Sequence, residues 1–244
     1  MSFQRRNIQK MTGYTSGEQP DDPNTLKLNT NENPYPPSDR VAEVIQHFEP
    51  SELRRYPPPT AAKFCQAAAE LHDLEVSNII ATRGGDELLR LVITTFVDPG
   101  ELIGVTNPTY SLYPVLAKIQ DCPLIEIDLT EDWGLSPTFS DEMNRAGVKM
   151  TMLVNPHAPS GSLIPLEVVS QLASQLDSLL LLDEAYIDFV EGGFDSPKLV
   201  SEYDNLIILR TLSKGYSLAG LRFGYGIAAP ELISPMLNKT KDSY

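Results

Sequence analysis

The residues best equipped for chemistry lie in one stretch, Thr211-Leu212-Ser213-Lys214-Gly215-Tyr216-Ser217-Leu218-Ala219-Gly220-Leu221-Arg222-Phe223-Gly224. A lysine amine held near a carbonyl compound is a Schiff-base nucleophile, and hydroxyls with a guanidinium suit a phosphate. Thr211, Ser213 and Lys214 stand together here, and Arg222 follows among glycines. An isolated Ser-Lys-Gly would read as a surface loop; in this company the chemical reading is stronger. Asp183 follows four leucines, and a carboxylate ending a buried strand is costly unless a cation or donor meets it. Its expected partner is positively charged, the plainer alternative being a salt bridge to a scaffold arginine. Glu184 reads as a structural neighbour.

Gly84-Gly85 precedes an apolar helical pattern, where bare backbone N–H groups and the helix dipole favour an oxyanion. A tight turn is the competing reading, and the pattern is neither Gly-x-Gly-x-x-Gly nor the nucleoside-triphosphate loop. Tyr110, in Asn107-Pro108-Thr109-Tyr110, either faces the same crevice or plugs the core edge. Asn155 opens the rigid loop Asn155-Pro156-His157-Ala158-Pro159-Ser160-Gly161 and can present an amide to a ligand oxygen. His157 reads as a loop or surface histidine, since no metal-ligand cluster accompanies it.

Elements that could position these residues are legible around them. Short apolar runs at 78–82, 102–106, 124–127, 150–154, 179–182, 206–209 and 225–228 read as strands. Helical patterns fall at 87–96, 111–120, 165–176 and 230–237, and another begins after Thr60, a candidate cap. The alternation predicts an α/β fold with a mainly parallel seven-stranded sheet sandwiched by helices, its ligands bound beyond the strands' carboxyl ends. Residues 1–59, rich in Pro, Asn and Ser, read as an irregular N-terminal arm with at most one helix, near 38–48. Nineteen basic against thirty-three acidic residues, a net charge of −14, disfavour broad binding to nucleic acid or anionic membranes. Two cysteines give no disulfide framework or zinc spacing, and no apolar run is long enough to span a bilayer; a cytoplasmic protein is expected.

Several segments, in order, resemble one known family. They are Asn29-Thr30-Asn31-Glu32-Asn33-Pro34-Tyr35, Arg55-Tyr56-Pro57, Gly84-Gly85-Asp86-Glu87-Leu88, Asn155-Pro156 with Pro159-Ser160-Gly161, Asp183-Glu184-Ala185-Tyr186, and Ser213-Lys214 through Arg222-Phe223-Gly224. From about Leu28 onward the chain resembles the pyridoxal-phosphate aminotransferases of the aspartate aminotransferase superfamily (class I/II), and within them the histidinol-phosphate aminotransferases. The resemblance implies that Lys214 forms the Schiff base with pyridoxal 5'-phosphate and later moves the Cα proton. It implies that Asp183 pairs with the pyridinium nitrogen, that Asn155 and Tyr186 contact the ring's phenolic oxygen, and that Tyr110 stacks on the ring. Gly84, Gly85, Asp86, Thr211, Ser213 and Arg222 would surround the phosphate, Asn31 and Tyr14 would contact substrate, and no metal is implied. Tyr56 would reach the phosphate of a neighbouring subunit, so a homodimer is implied. His157-Ala158 departs from the family, which more often has Asn and a polar residue there.

The activity so implied is transamination of an amino acid or amino-alcohol phosphate, such as histidinol phosphate, with 2-oxoglutarate in histidine biosynthesis. Alternatives are a decarboxylase or lyase of a phosphorylated amino acid on the same cofactor, and a non-catalytic cofactor-binding fragment. A sensor joined to a DNA-binding segment is disfavoured, because residues 1–40 lack the basic charge and the helices. The expected domains are the arm at 1–59, a cofactor-binding large domain at 60–229, and at 230–244 the start of an interdomain helix. In the family a smaller C-terminal domain follows that helix. The 244-residue chain is therefore expected to bind the cofactor and to transaminate poorly or not at all.

Overall fold

The computed structural model describes residues 2–22 and 24–242; Met1 and Pro23 of the expected arm, and Ser243 and Tyr244 of the expected last helix, lie outside the described residues. The seven expected strands are present: β1 (Ile79–Thr82), β2 (Ile103–Asn107), β3 (Leu124–Asp128), β4 (Met150–Val154), β5 (Leu179–Asp183), β6 (Leu206–Thr211) and β7 (Gly224–Ala228). They form one sheet in the order β1-β7-β6-β5-β4-β2-β3. Strands β6, β5, β4, β2 and β3 pair in parallel, while β7 runs antiparallel to both its neighbours. The helices are α1 (Arg6–Lys10), α2 (Asp39–Gln46), α3 (Ala62–His72), α4 (Gly85–Phe96), α5 (Leu112–Gln120), α6 (Phe139–Ala146), α7 (Leu166–Gln175) and α8 (Pro230–Pro235).

The central strands are mostly apolar on both faces because both faces are covered. Met150, Met152 and Val154 of β4, Leu181 of β5, and Ile207 and Leu209 of β6 join the apolar layer with α4 and α5. The alternate residues Leu153, Leu180, Leu182, Leu206 and Ile208 join the opposite layer with α3, α6 and α7. Side chains alternate with a period of two along a strand, so Asp183 shares the face of Leu181, toward α4 and α5. Each fully buried Leu or Ile contributes roughly 1.5–3 kcal/mol, which makes this double layer the main support of the site above it.

Three expectations are corrected, and one helix is added. The arm holds two helices, α1 and α2, and a 3-10 turn at Pro50–Arg54; α1 is held in part by Asn7, whose amide donates to the Lys118 and Ile119 carbonyls at the end of α5. Thr60 does not cap α3: the helix starts at Ala62, and Ala61 fills the cap position with φ of 50°. Helix α6 is the addition, a short helix whose buried face is Phe139, Ser140 and Met143. The last helix stops at Pro235 and continues as a π turn, Met236–Thr240, because proline has no N–H for the Glu231 carbonyl. Among the described residues no helix is long and apolar enough to cross a membrane.

Candidate active site

The strand order reverses between β2 and β4, the kind of switch point where open α/β sheets bind ligands. A crevice of about 660 Å³ opens beyond the carboxyl ends, within the range of small-molecule sites. It is lined by Tyr14, Asn31, Gly85, Asp86, Tyr110, Asp183, Tyr186, Thr211, Ser213, Lys214 and Arg222. Tyr56 and Asn155 are not on this lining. Tyr56 is 82% exposed. Asn155 is buried in the loop after β4, where its Oδ1 accepts from Ile164 N–H at 2.7 Å and its Nδ2 donates to Ile164 O at 3.2 Å. One Asn155 amide hydrogen is left over.

Asp183 is 5% exposed. Its Oδ2 accepts from the Tyr113 hydroxyl at 2.9 Å and its Oδ1 from Ala185 N–H at 3.0 Å. Burial pushes its carboxyl up to about 6, against the downward pull of Tyr113 and Ala185. No ion pair to Asp183 occurs among the described residues; the scaffold arginine considered for it binds its neighbour. Arg210 Nε donates to Glu184 Oε2 at 2.7 Å, and the Ser196 hydroxyl donates to Glu184 Oε1. Two adjacent carboxylates thus have different lives, one neutralised within the scaffold and one facing the crevice with neutral donors only. Arg210→Ala would strand the Glu184 charge in the interior. A loss of about 3–5 kcal/mol in urea unfolding at neutral pH is expected, well beyond the effect of a surface substitution.

Lys214 is half-buried, and its Nζ donates to the Thr30 carbonyl at 2.6 Å and lies 5.8 Å from the centre of the Tyr186 ring. Burial chiefly lowers the amine's pKa, and Arg222 and Lys27 add to this while Glu32 and Asp86 oppose it. Asn31 Nδ2 donates to the Tyr186 hydroxyl at 2.9 Å, joining the arm to the strand ends. Tyr110 meets Tyr113 edge-on with ring centroids 5.6 Å apart, and its hydroxyl points at Asp86 Oδ1, 3.5 Å away.

An anion cradle is built where β7 begins beside α4. Gly84 has φ of 82°, a conformation that favours glycine, and caps α4 with no side chain, so the first N–H groups of the helix face the crevice without a side-chain cap. A Cβ at Gly84 would lie 2.8 Å from Arg222 Nη2, so the guanidinium sits directly over this turn. Arg222 Nη2 is 3.5 Å from Asp86 Oδ2, and the Thr211 and Ser213 hydroxyls are 3.0 Å apart. Gly224 packs against the same turn: its Cβ would fall 2.7 Å from Gly84 C and 2.8 Å from Gly85 N. Gly224→Ala must therefore push the cradle apart. A cost of about 1–3 kcal/mol in thermal or urea unfolding is expected, with weaker inorganic phosphate binding by titration.

Two residues outside the expected set, Tyr113 and Thr109, also touch the site. Tyr113 reads in sequence as an ordinary apolar-face residue of α5; the signal was its hydroxyl, which needs a partner when buried. The Thr109 hydroxyl oxygen is buried at the crevice with no hydrogen-bond partner among the described residues. His157 is a loop histidine as expected but is buried: Nδ1 lies 2.8 Å from Ser160 Oγ and Nε2 3.1 Å from Pro108 O, tying two loops together. Among the described residues no group of three or more His, Cys, Asp or Glu could hold a metal ion.

Residues 23–243 match the family model of aminotransferase class I and II. Histidinol-phosphate aminotransferase 1 of Trichormus variabilis is 40% identical over all of this chain, covering 68% of that relative. The histidinol-phosphate aminotransferase of Syntrophotalea carbinolica is 42% identical, with 100% and 69% covered. The crystal structure of histidinol-phosphate aminotransferase from Sinorhizobium meliloti in complex with pyridoxal-5'-phosphate superposes with a TM-score of 0.79 at 25% identity, over 86% of this chain and 59% of that one. The chain spans about two thirds of the length of those curated relatives and about three fifths of the solved one. Matched over nearly its whole length by that family model and by these relatives, the chain belongs to the class I and II aminotransferases.

Proposed function

We propose that this chain is part of a pyridoxal-phosphate-dependent transaminase that moves an amino group between histidinol phosphate, or a related amino acid, and 2-oxoglutarate. The observation that carries the reading is Asp183: a buried carboxylate, met by neutral donors only, in a crevice that also offers an amine and an anion cradle. Such a carboxylate suits a cationic N–H, and the protonated ring nitrogen of pyridoxal phosphate provides one. The unpartnered Thr109 hydroxyl in the same crevice supports a polar occupant as well.

When bound, pyridoxal phosphate supplies an aldehyde and a ring that accepts the electron pair released at the donor's Cα. Arg222, Ser213, Thr211 and the N–H groups opening α4 would hold its phosphate. Asp183, ionised above about pH 6, would hold the ring nitrogen in its positive form. Tyr110 would cover a ring face, Tyr186 and the spare amide hydrogen of Asn155 would serve the ring oxygen, and Asn31 and Tyr14 would meet the substrate. Lys214 Nζ takes the Cα proton and returns it; its lowered pKa leaves more of the amine free to accept it near neutral pH.

A homodimer fits the arm, where Val44, Ile45 and Leu53 are at least 63% exposed beside Tyr56. Two buried, unpaired cysteines fit a reducing compartment such as the cytoplasm. The experiment for the whole reading is borohydride reduction of the protein mixed with pyridoxal phosphate, followed by peptide mass spectrometry. A pyridoxyl group on Lys214 is expected, and one on another lysine would overturn the reading. Glutamate released from histidinol phosphate and 2-oxoglutarate would mark transamination rather than decarboxylation.

A further inference from the structure

The arm enters the crevice as a single turn, and one of its residues is bonded at both ends. Thr30 accepts Lys214 Nζ on its carbonyl at 2.6 Å and Lys27 Nζ on its hydroxyl at 2.7 Å. Lys27 is in turn paired with Glu32 at 2.6 Å. Among the described residues a single backbone bond closes this turn, and it is long: Asn31 N–H to Leu28 O at 3.5 Å. Its position therefore depends on side-chain ties: Lys27 to Thr30 and Glu32, Asn29 to Glu18 O, and Asn31 to Tyr186. Gly17 backs the turn closely, since a Cβ there would lie 2.8 Å from the Thr30 methyl.

We propose that Thr30, anchored through its hydroxyl by Lys27, is a positioning residue that gives the free amino group of Lys214 a fixed resting place on its carbonyl. The proposal rests on the reading of Lys214 given above. Forming a C=N bond joins the lysine nitrogen to the aldehyde carbon and releases the aldehyde oxygen as water, with no oxidation or reduction. The nitrogen then carries no N–H or at most one, and it is committed to the cofactor. The Thr30 contact consequently favours every form in which Lys214 is free over the form in which it is bonded. A hydrogen bond to a charged group is among the stronger kinds, so this preference is measurable. It would ease the release of Lys214 when a donor amine takes its place, and hold the freed amine within reach of the Cα proton.

The test compares two ligands that share the phosphate and ring and differ in whether Lys214 can bond to them. Pyridoxal phosphate has the aldehyde; pyridoxamine phosphate has an amine instead. Thr30→Val keeps size, charge and the backbone carbonyl and removes only the hydroxyl anchor, whereas Thr30→Ser keeps the anchor. Affinities of both ligands for the 244-residue chain are measured by titration calorimetry. In Thr30→Val the ratio of affinities is expected to shift toward pyridoxal phosphate by about tenfold, while Thr30→Ser retains the parent ratio. Thermal melting of each variant checks that the fold is kept.

An unchanged ratio in Thr30→Val, or equal shifts for both ligands, would overturn the proposal, because a merely structural role of the turn moves both alike. A shift toward pyridoxamine phosphate would overturn it too. If the parent chain shows no reducible adduct on Lys214, the functional reading itself fails, which is a different result from an adduct on Lys214 with an insensitive ratio.

Discussion

Lys214→Ala is expected to lower transamination by on the order of 10⁴-fold or more, because under the proposed function one nitrogen both bonds the cofactor and moves the Cα proton. The protein should remain folded, since the half-buried side chain contributes a single hydrogen bond, to Thr30 O. Pyridoxal phosphate should still bind through the cradle of Arg222, Ser213 and the start of α4, with the spectrum of a free aldehyde. Borohydride should then leave no pyridoxyl group on the protein. Addition of a small primary amine should restore part of the proton transfer and none of the covalent attachment. These outcomes separate the two duties of Lys214, and residual turnover near the parent rate would show that another group performs both.

Asp183→Asn should produce opposite effects on activity and stability. Turnover is expected to fall by about 10²–10³-fold, the usual scale for losing one preorganised electrostatic partner. Stability should change with a definite sign. The folded-state pKa of Asp183, about 6, lies above its ordinary value of 3.8, so ionisation is disfavoured in the fold. That cost is absent below pH 4, grows as pH rises from 4 to 6, and is complete above 6, where it amounts to about 3 kcal/mol. The asparagine carries no charge and escapes it. Its gain above pH 6 should be smaller than that, since an amide must turn an N–H toward either Tyr113 or Ala185, both of which donate to the aspartate. Melting curves at pH 4 and pH 8 decide the matter. A variant that melts lower than the parent at both pH values would show that Asp183 is chiefly a structural group.

The strands were readable because a doubly covered strand is apolar at nearly every position, and the runs of β4, β5 and β6 have no other simple explanation. Strand direction was not readable. The run Gly224–Ala228 has the same pattern in either sense, and the antiparallel insertion of β7 between β1 and β6 is a property of the sheet. Helix α6 escaped notice because its apolar contact rests on Phe139 and Met143, a single turn apart. In the site, Lys214, Asp183 and Gly84-Gly85 stood out because charge and conformational freedom at strand ends are locally unusual. Tyr113 did not, because a tyrosine on an apolar helix face looks like packing until its hydroxyl is traced to Asp183. Nor was the commitment of the Asn155 amide to Ile164 visible, since that contact depends on the fold of the intervening loop.

The reversed strand has a consequence for which sequence changes the protein can tolerate. Because Thr211 pairs with Gly224 as the last rung between β6 and β7, residues 212–223 form a closed ring that carries both Lys214 and Arg222. The ring works as a caliper: its length sets the span between the amine and the guanidinium, and the rung fixes where that span is laid against Gly84. Adding or removing one residue between Lys214 and Arg222 changes the span directly, and slipping the rung carries Arg222 away from Gly84 while Lys214, three residues past the end of β6, keeps its place. Length variation among relatives should therefore be confined to connections outside this hairpin, such as the surface turn at Gly192 and Gly193, whose added side chains would meet no neighbour.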